Sequence, residues 1–130
     1  AKTLAGFSEF TLRSDRLEFR GKPGRASMIW LSFIKEQTFT KLHNALKVAV
    51  SGLVTPQTDF RDPIPHITIA RMGRRFRNGS ISLPLDFTKY DARVGTIELW
   101  RSEKDDSGVR YSSIAVWPLS EVSGDRPDSP

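Results

Sequence analysis

The sequence predicts an α+β domain, mainly antiparallel sheet with one clear amphipathic helix. Three observations carry this. Segments 9–20, 66–71 and 94–117 are dominated by extended patterns with the period of two that a strand imposes. One segment, from about Glu36 to Ser51, instead repeats its apolar residues at helical spacing. Turn signals at Gly21–Gly24 and Lys104–Gly108 join neighbouring extended segments into hairpins.

In order along the chain, Phe10 and Leu12 share one strand face, followed by Leu17 and Phe19 after a break at Ser14-Asp15. Gly21-Lys22-Pro23-Gly24 is a turn. Ser27 to Ile34 is almost continuously apolar and reads as a central strand covered on both sides, with Trp30 as a core side chain rather than a stacking platform. In the helix, Phe39, Leu42, Leu46, Ala49 and Val50 form the apolar stripe, and Gly52 is its expected stop. His43 falls beside that stripe, as a boundary or surface histidine does. Thr55 to Pro63 is a loop rich in breakers, and Pro63 and Pro65 bias the chain to extended geometry ahead of His66. Asn78-Gly79-Ser80 is a further turn. Ile81, Leu83, Leu85 and Phe87 alternate inward on an expected strand that Pro84 confines to an edge or a bulge. Val94–Ser102 and Val109–Trp117 form the last hairpin. Residues 1–120 read as one domain, and 121–130, without apolar anchors, as a disordered tail.

Composition narrows the function. With 130 residues, 38% of them hydrophobic, the chain can bury one core. No apolar run is long enough for a membrane span and no signal-peptide pattern opens the chain, so a cytoplasmic protein is expected. The lack of cysteine excludes disulfides and thiolate metal sites, and two histidines argue against a histidine-rich metal centre. No cofactor motif is present. A net charge of +5 favours anionic partners. Arg71, Arg74, Arg75 and Arg77 crowd one short segment, which reads equally as a solvated loop or as a phosphate-binding surface. Arg13, Arg16, Arg20, Lys22 and Arg25 surround the first hairpin.

The stretch Pro65-His66-Ile67-Thr68-Ile69-Ala70-Arg71 combines an imidazole, a hydroxyl and a cation at strand spacing. Strict alternation sends His66, Thr68 and Ala70 to one face, and Ile67 and Ile69 to a core on the other, with Arg71 on the isoleucine side. His66 and Thr68 then stand about 7 Å apart along the strand, close enough to share one phosphate. Alternation alone describes an ordinary half-buried strand better than a site.

His66-Ile-Thr-Ile-Ala-Arg71 resembles the second His-x-Thr (HxTx) signature of the 2H phosphoesterase superfamily, in particular its RNA 2′,3′-cyclic phosphodiesterases, the 2′-5′ RNA ligase-like proteins. Ser27–Phe33 resembles the core strand ahead of that motif. Leu42–Leu46 resembles the intervening helix, and Val94–Ser102 with Gly108–Tyr111 and Ile114 the closing hairpin. The resemblance implies a two-lobed fold with a cleft, and metal-independent hydrolysis of cyclic phosphate ends by a histidine pair. His66 is then catalytic, Thr68 a hydrogen-bond donor to a phosphoryl oxygen, and Arg71, Arg74 and Arg75 substrate-binding. RNA ends or cyclic nucleotides are the implied partners. The chain departs from the family in one respect: its other histidine, His43, is followed two residues on by Ala45, so the first His-x-Thr motif is absent. The expectation is therefore the C-terminal part of a hydrolase, with a second polypeptide segment carrying the first motif. The alternatives are a catalytically silent RNA-binding or assembly module, or a self-associated form in which a second copy completes the site.

Overall fold

A computed structural model describes residues 4–53, 62–74, 76, 81–84 and 86–122. Its elements are strands β1 (Phe10–Lys22) and β2 (Arg25–Phe33), helix α1 (Gln37–Val50), and strands β3 (His66–Arg71), β4 (Asp91–Val94), β5 (Thr96–Asp105) and β6 (Gly108–Pro118). β1 to β4 form a curled antiparallel sheet in the order β3-β2-β1-β4, and β5 pairs with β6 as a separate hairpin. The α+β class read from the sequence is the observed one.

One face of the four-stranded sheet is the core. Phe10, Leu12, Leu31 and Phe33 are buried there with Leu42 of α1, and Leu17, Phe39, Leu46, Phe87, Ala92 and Val94 pack around them. Glu36 caps α1, its side chain accepting from the Phe39 N–H at 2.7 Å. At the other end the Ser51 hydroxyl donates to the Val48 carbonyl at 2.7 Å, so the stop lies in Ser51 rather than in a left-handed Gly52. The helix leaves the sheet at its C-terminal end, where Val48 and Val50 are exposed.

Bulges set the faces. The Ser14-Asp15 break is an extra residue inside one long strand: Ser14 lies opposite Phe33 and Arg16 opposite Ser32, leaving Asp15 unpaired. Ser14 is buried and bonds the Tyr90 backbone through both its own N–H and its hydroxyl. A second bulge leaves Ser27 unpaired opposite Gly21, whose φ of +134° and closeness to the Ser27 backbone nitrogen, 2.7 Å from where a Cβ would stand, require glycine.

Three expectations are corrected. β2 is central but covered on one face only, and Trp30 lies half-buried on the open face, not in the core. No strand forms among the described residues of 81–87; the edge beside β1 is taken by β4, whose Val94 to Asp91 pair with Phe10 to Arg13. Gly95 ends β4 before the hairpin begins, so Val94 belongs to the sheet and not to β5. The hairpin is rooted in the core through Ile97, Trp117 and Leu119, but Leu99, Trp100, Tyr111, Ile114 and Val116 are exposed. Most of the 55–63 loop, the Asn78–Ser80 turn, and residues 123–130 of the expected tail lie outside the described residues. Among the described residues no helix is long and apolar enough to cross a membrane.

Candidate phosphate site on the open face

Cross-strand pairing orders the open face into rows. Arg16, Ser32 and His66 form one; Glu18, Trp30 and Thr68 the next; Arg20, Met28 and Arg71 the third; Lys22 and Arg25 close the end at the turn. The pattern depends on β3 pairing Ala70 with Ile29 but Thr68 with Trp30, which leaves Ile69 as an extra residue. That bulge reverses the parity of the strand's second half. Arg71 is carried round to the face of His66 and Thr68, and Ala70 to the opposite one, contrary to strict alternation. Ile67 and Ile69 are 46% and 55% exposed, so they do not anchor a core: β3 lies at the edge of the four-stranded sheet.

His66 is exposed but held. Its Nδ1 lies 2.8 Å from the Ile64 carbonyl oxygen, an atom that can only accept, so Nδ1 carries a proton and, in the neutral ring, the lone pair is on Nε2. The ring stacks on Trp30 with centroids 3.5 Å apart and planes 8° from parallel. The Arg20 guanidinium carbon stands 4.6 Å from the Trp30 ring centre. The indole N–H is buried without an acceptor among the described residues, which costs about 1–3 kcal/mol. Thr68, half-buried beside this stack, has no hydrogen bond from its hydroxyl to another described residue.

Behind the ring, Glu18 organises the face. Its carboxylate accepts from the Ser32 hydroxyl at 2.5 Å and from Arg20 Nη2 and Nε at 2.7 and 3.0 Å, and pairs with Arg16 at 3.2 Å. Burial pushes its carboxyl up, but Ser32, Arg20 and Arg16 together outweigh that and hold it below its ordinary value. Ser32, although polar, is only 3% exposed, and Glu18 is what allows it.

Of the residues expected from sequence, His66, Thr68 and Arg71 share this face. Arg71 Nη1 lies 3.4 Å from the Met28 sulfur. Arg74 is exposed beyond the end of β3, its carbonyl accepting from Arg25 at 3.2 Å. Arg75 and Arg77 lie outside the described residues. His43 is exposed on α1, on the other side of the sheet. Sequence reasoning missed Glu18, Arg20, Trp30 and Ser32. The signal was there: Arg16, Glu18 and Arg20 recur every second residue, as do Met28, Trp30 and Ser32 against the purely apolar Ile29, Leu31 and Phe33. Among the described residues no three His, Asp or Glu side chains gather to hold a metal ion.

No protein-family model matches the chain, and no curated protein matches it. Among solved structures it is similar to the crystal structure of TT0787 of Thermus thermophilus, with a TM-score of 0.71 over 92% of this chain and 68% of that one. At 20% identity the two share a fold.

Proposed function

We propose that this chain supplies one half of the active site of an RNA 2′,3′-cyclic phosphodiesterase of the 2H phosphoesterase type. The observation that carries the reading is the His66 geometry: Nδ1–H is tied to the Ile64 carbonyl and the ring is clamped on Trp30, which leaves Nε2 for proton transfer on an open face shared with Thr68 and Arg71. In hydrolysis, water oxygen bonds to phosphorus while the bond to one ribose oxygen breaks. A base takes the proton of the water and an acid protonates the departing ribose oxygen on the far side. Nε2 can fill either role, being a base when neutral and an acid once protonated. The Thr68 hydroxyl donates to a phosphoryl oxygen as charge builds there, and Arg71 offsets the phosphate charge.

The opposing group comes, in this reading, from a second segment carrying the first His-x-Thr motif. The hairpin supports it. Two strands alone are marginal in water, and β5 and β6 expose Trp100, Tyr111, Ile114 and Val116, a surface that further strands would cover. A cytoplasmic location belongs to the same reading. The test is turnover of a 2′,3′-cyclic nucleotide. The chain alone should be about 10²- to 10⁴-fold slower than the chain supplied with that segment, because one histidine cannot occupy both sides of phosphorus. Full activity from the chain alone, independent of its concentration, would refute the two-histidine scheme. Activity that rises with concentration would assign the missing half to a second copy. A silent RNA-binding or assembly module is the second reading, favoured by the position of His43 on the far side of the sheet.

A further inference from the structure

Charge compensation on this molecule is uneven. Among the described arginines, Arg13, Arg16, Arg20, Arg93, Arg101 and Arg110 each pair with a carboxylate. Arg25, Arg71 and Arg74 have no such partner among the described residues, and all three lie at one end of the four-stranded sheet. There Lys22, Arg25 and Arg74 line a cleft of about 290 Å³ together with Met72, Ser27 and Phe76, and no carboxylate among the described residues lines it. The Phe76 ring is held against Phe19, centroids 5.8 Å apart. Cations left without carboxylates are a surface suited to a phosphate backbone.

We infer that this cleft holds the upstream phosphates of a single-stranded RNA whose 3′ end reaches His66. The part anchored at His66 rests on the proposed reaction; the basic end stands on its own. Lys22 and Arg25 continue the rows of the open face, and Arg71 lies between them and the Thr68 row, so the cations mark one path along the sheet. From His66 to Arg71 the strand advances about 16 Å, further than one nucleotide reaches. The substrate is therefore an oligonucleotide, and the mononucleotide cyclic phosphate is its truncated form. A cyclic phosphate needs a 2′-hydroxyl, which makes the strand RNA. The Arg25 contact to the Arg74 carbonyl holds the segment after β3 against the β1–β2 turn, so the two sides of the cleft are kept together before any ligand arrives.

The experiment uses the full chain and a labelled single-stranded oligouridylate ending in a 3′-phosphate, with anisotropy measured across a salt series. The triple variant Lys22→Ala, Arg25→Ala, Arg74→Ala should make the slope of log affinity against log salt shallower by about 2, near 0.7 for each phosphate no longer neutralised. Arg110→Ala, which removes a paired arginine at the hairpin tip, should leave it unchanged. Circular dichroism checks that the triple variant is folded, and Arg25→Lys with Arg74→Lys should restore most of the slope if charge is the cause. His66→Ala should still bind the oligonucleotide. An unchanged slope in a folded triple variant overturns the inference, as does equal binding of duplex RNA or of polyglutamate, which would mark a general polyanion surface. The two proposals fail separately. Oligonucleotide binding through the cleft with no hydrolysis, even when the second segment is supplied, sinks the reaction alone. Hydrolysis of a cyclic mononucleotide by the completed site, with the slope unmoved by the triple variant, sinks the cleft alone.

Discussion

The two faces of the four-stranded sheet come from the same alternating strands and end in opposite physical states. On the helix side, Phe10, Leu12, Leu31 and Phe33 are buried among apolar side chains, Leu42 of α1 included. Apolar burial is non-directional, and roughly right shapes suffice. On the open side, Ser32 and Glu18 are shielded from water only because Arg16 and Arg20 supply fixed partners, and Trp30 is held between an imidazole and a guanidinium. Polar groups at that depth are stable only as a connected set. One face can therefore tolerate substitution that preserves volume. The other depends on the identity of each member, and that dependence is what a reactive group needs around it.

Exchanging residues between these two regimes tests the contrast. The largest effect expected is on turnover by the completed site: His66→Ala should lower kcat/KM by about 10²- to 10⁴-fold, with little change in Tm, because the ring lies on the surface of the open face. A melting temperature that falls as far as for a core truncation would make His66 a structural residue and erase the distinction. Phe33→Ala, on the helix side, should do the reverse and cost about 3–5 kcal/mol in urea unfolding. Should Trp30→Ala cost as much, the open face would be a second core.

Glu18→Gln keeps the shape and removes the charge. It should cost about 1–3 kcal/mol, since Arg16 and Arg20 lose their partner and Ser32 is left with a weaker acceptor. No measurable cost would mean that solvent already compensates the network. The same carboxyl predicts a pH effect. Because its folded pKa lies below its unfolded one, it contributes stability above the unfolded value, and that contribution is lost as pH falls through the folded value. Between neutral pH and the acid limb, the native chain should therefore lose more stability than Glu18→Gln does; parallel curves would deny Glu18 this role. At the bottom of the scale, Val48→Ser should stay within about 0.5 kcal/mol, because Val48 is 74% exposed where α1 has left the sheet.

The sequence by itself determined the class, the helix and its buried Leu42, the turn after Gly21, the closing hairpin and the extent of β3 from His66 to Arg71. These follow from local rules: a period of two or 3.6, glycine and proline at turns, and an apolar stripe. Side-chain facing was legible only between bulges. The extra residues at Asp15, Ser27 and Ile69 arise from how strands pair, and each reverses the parity that alternation assumes. Tertiary structure alone decided that Arg71 joins His66 and Thr68, that Ile67 and Ile69 stay exposed at an edge, and that Trp30 clamps the imidazole instead of filling a core. It also decided which of the described arginines meet a carboxylate of a distant segment, as Arg93 meets Glu9 and Arg13 meets Asp91, a property of register that no single segment contains.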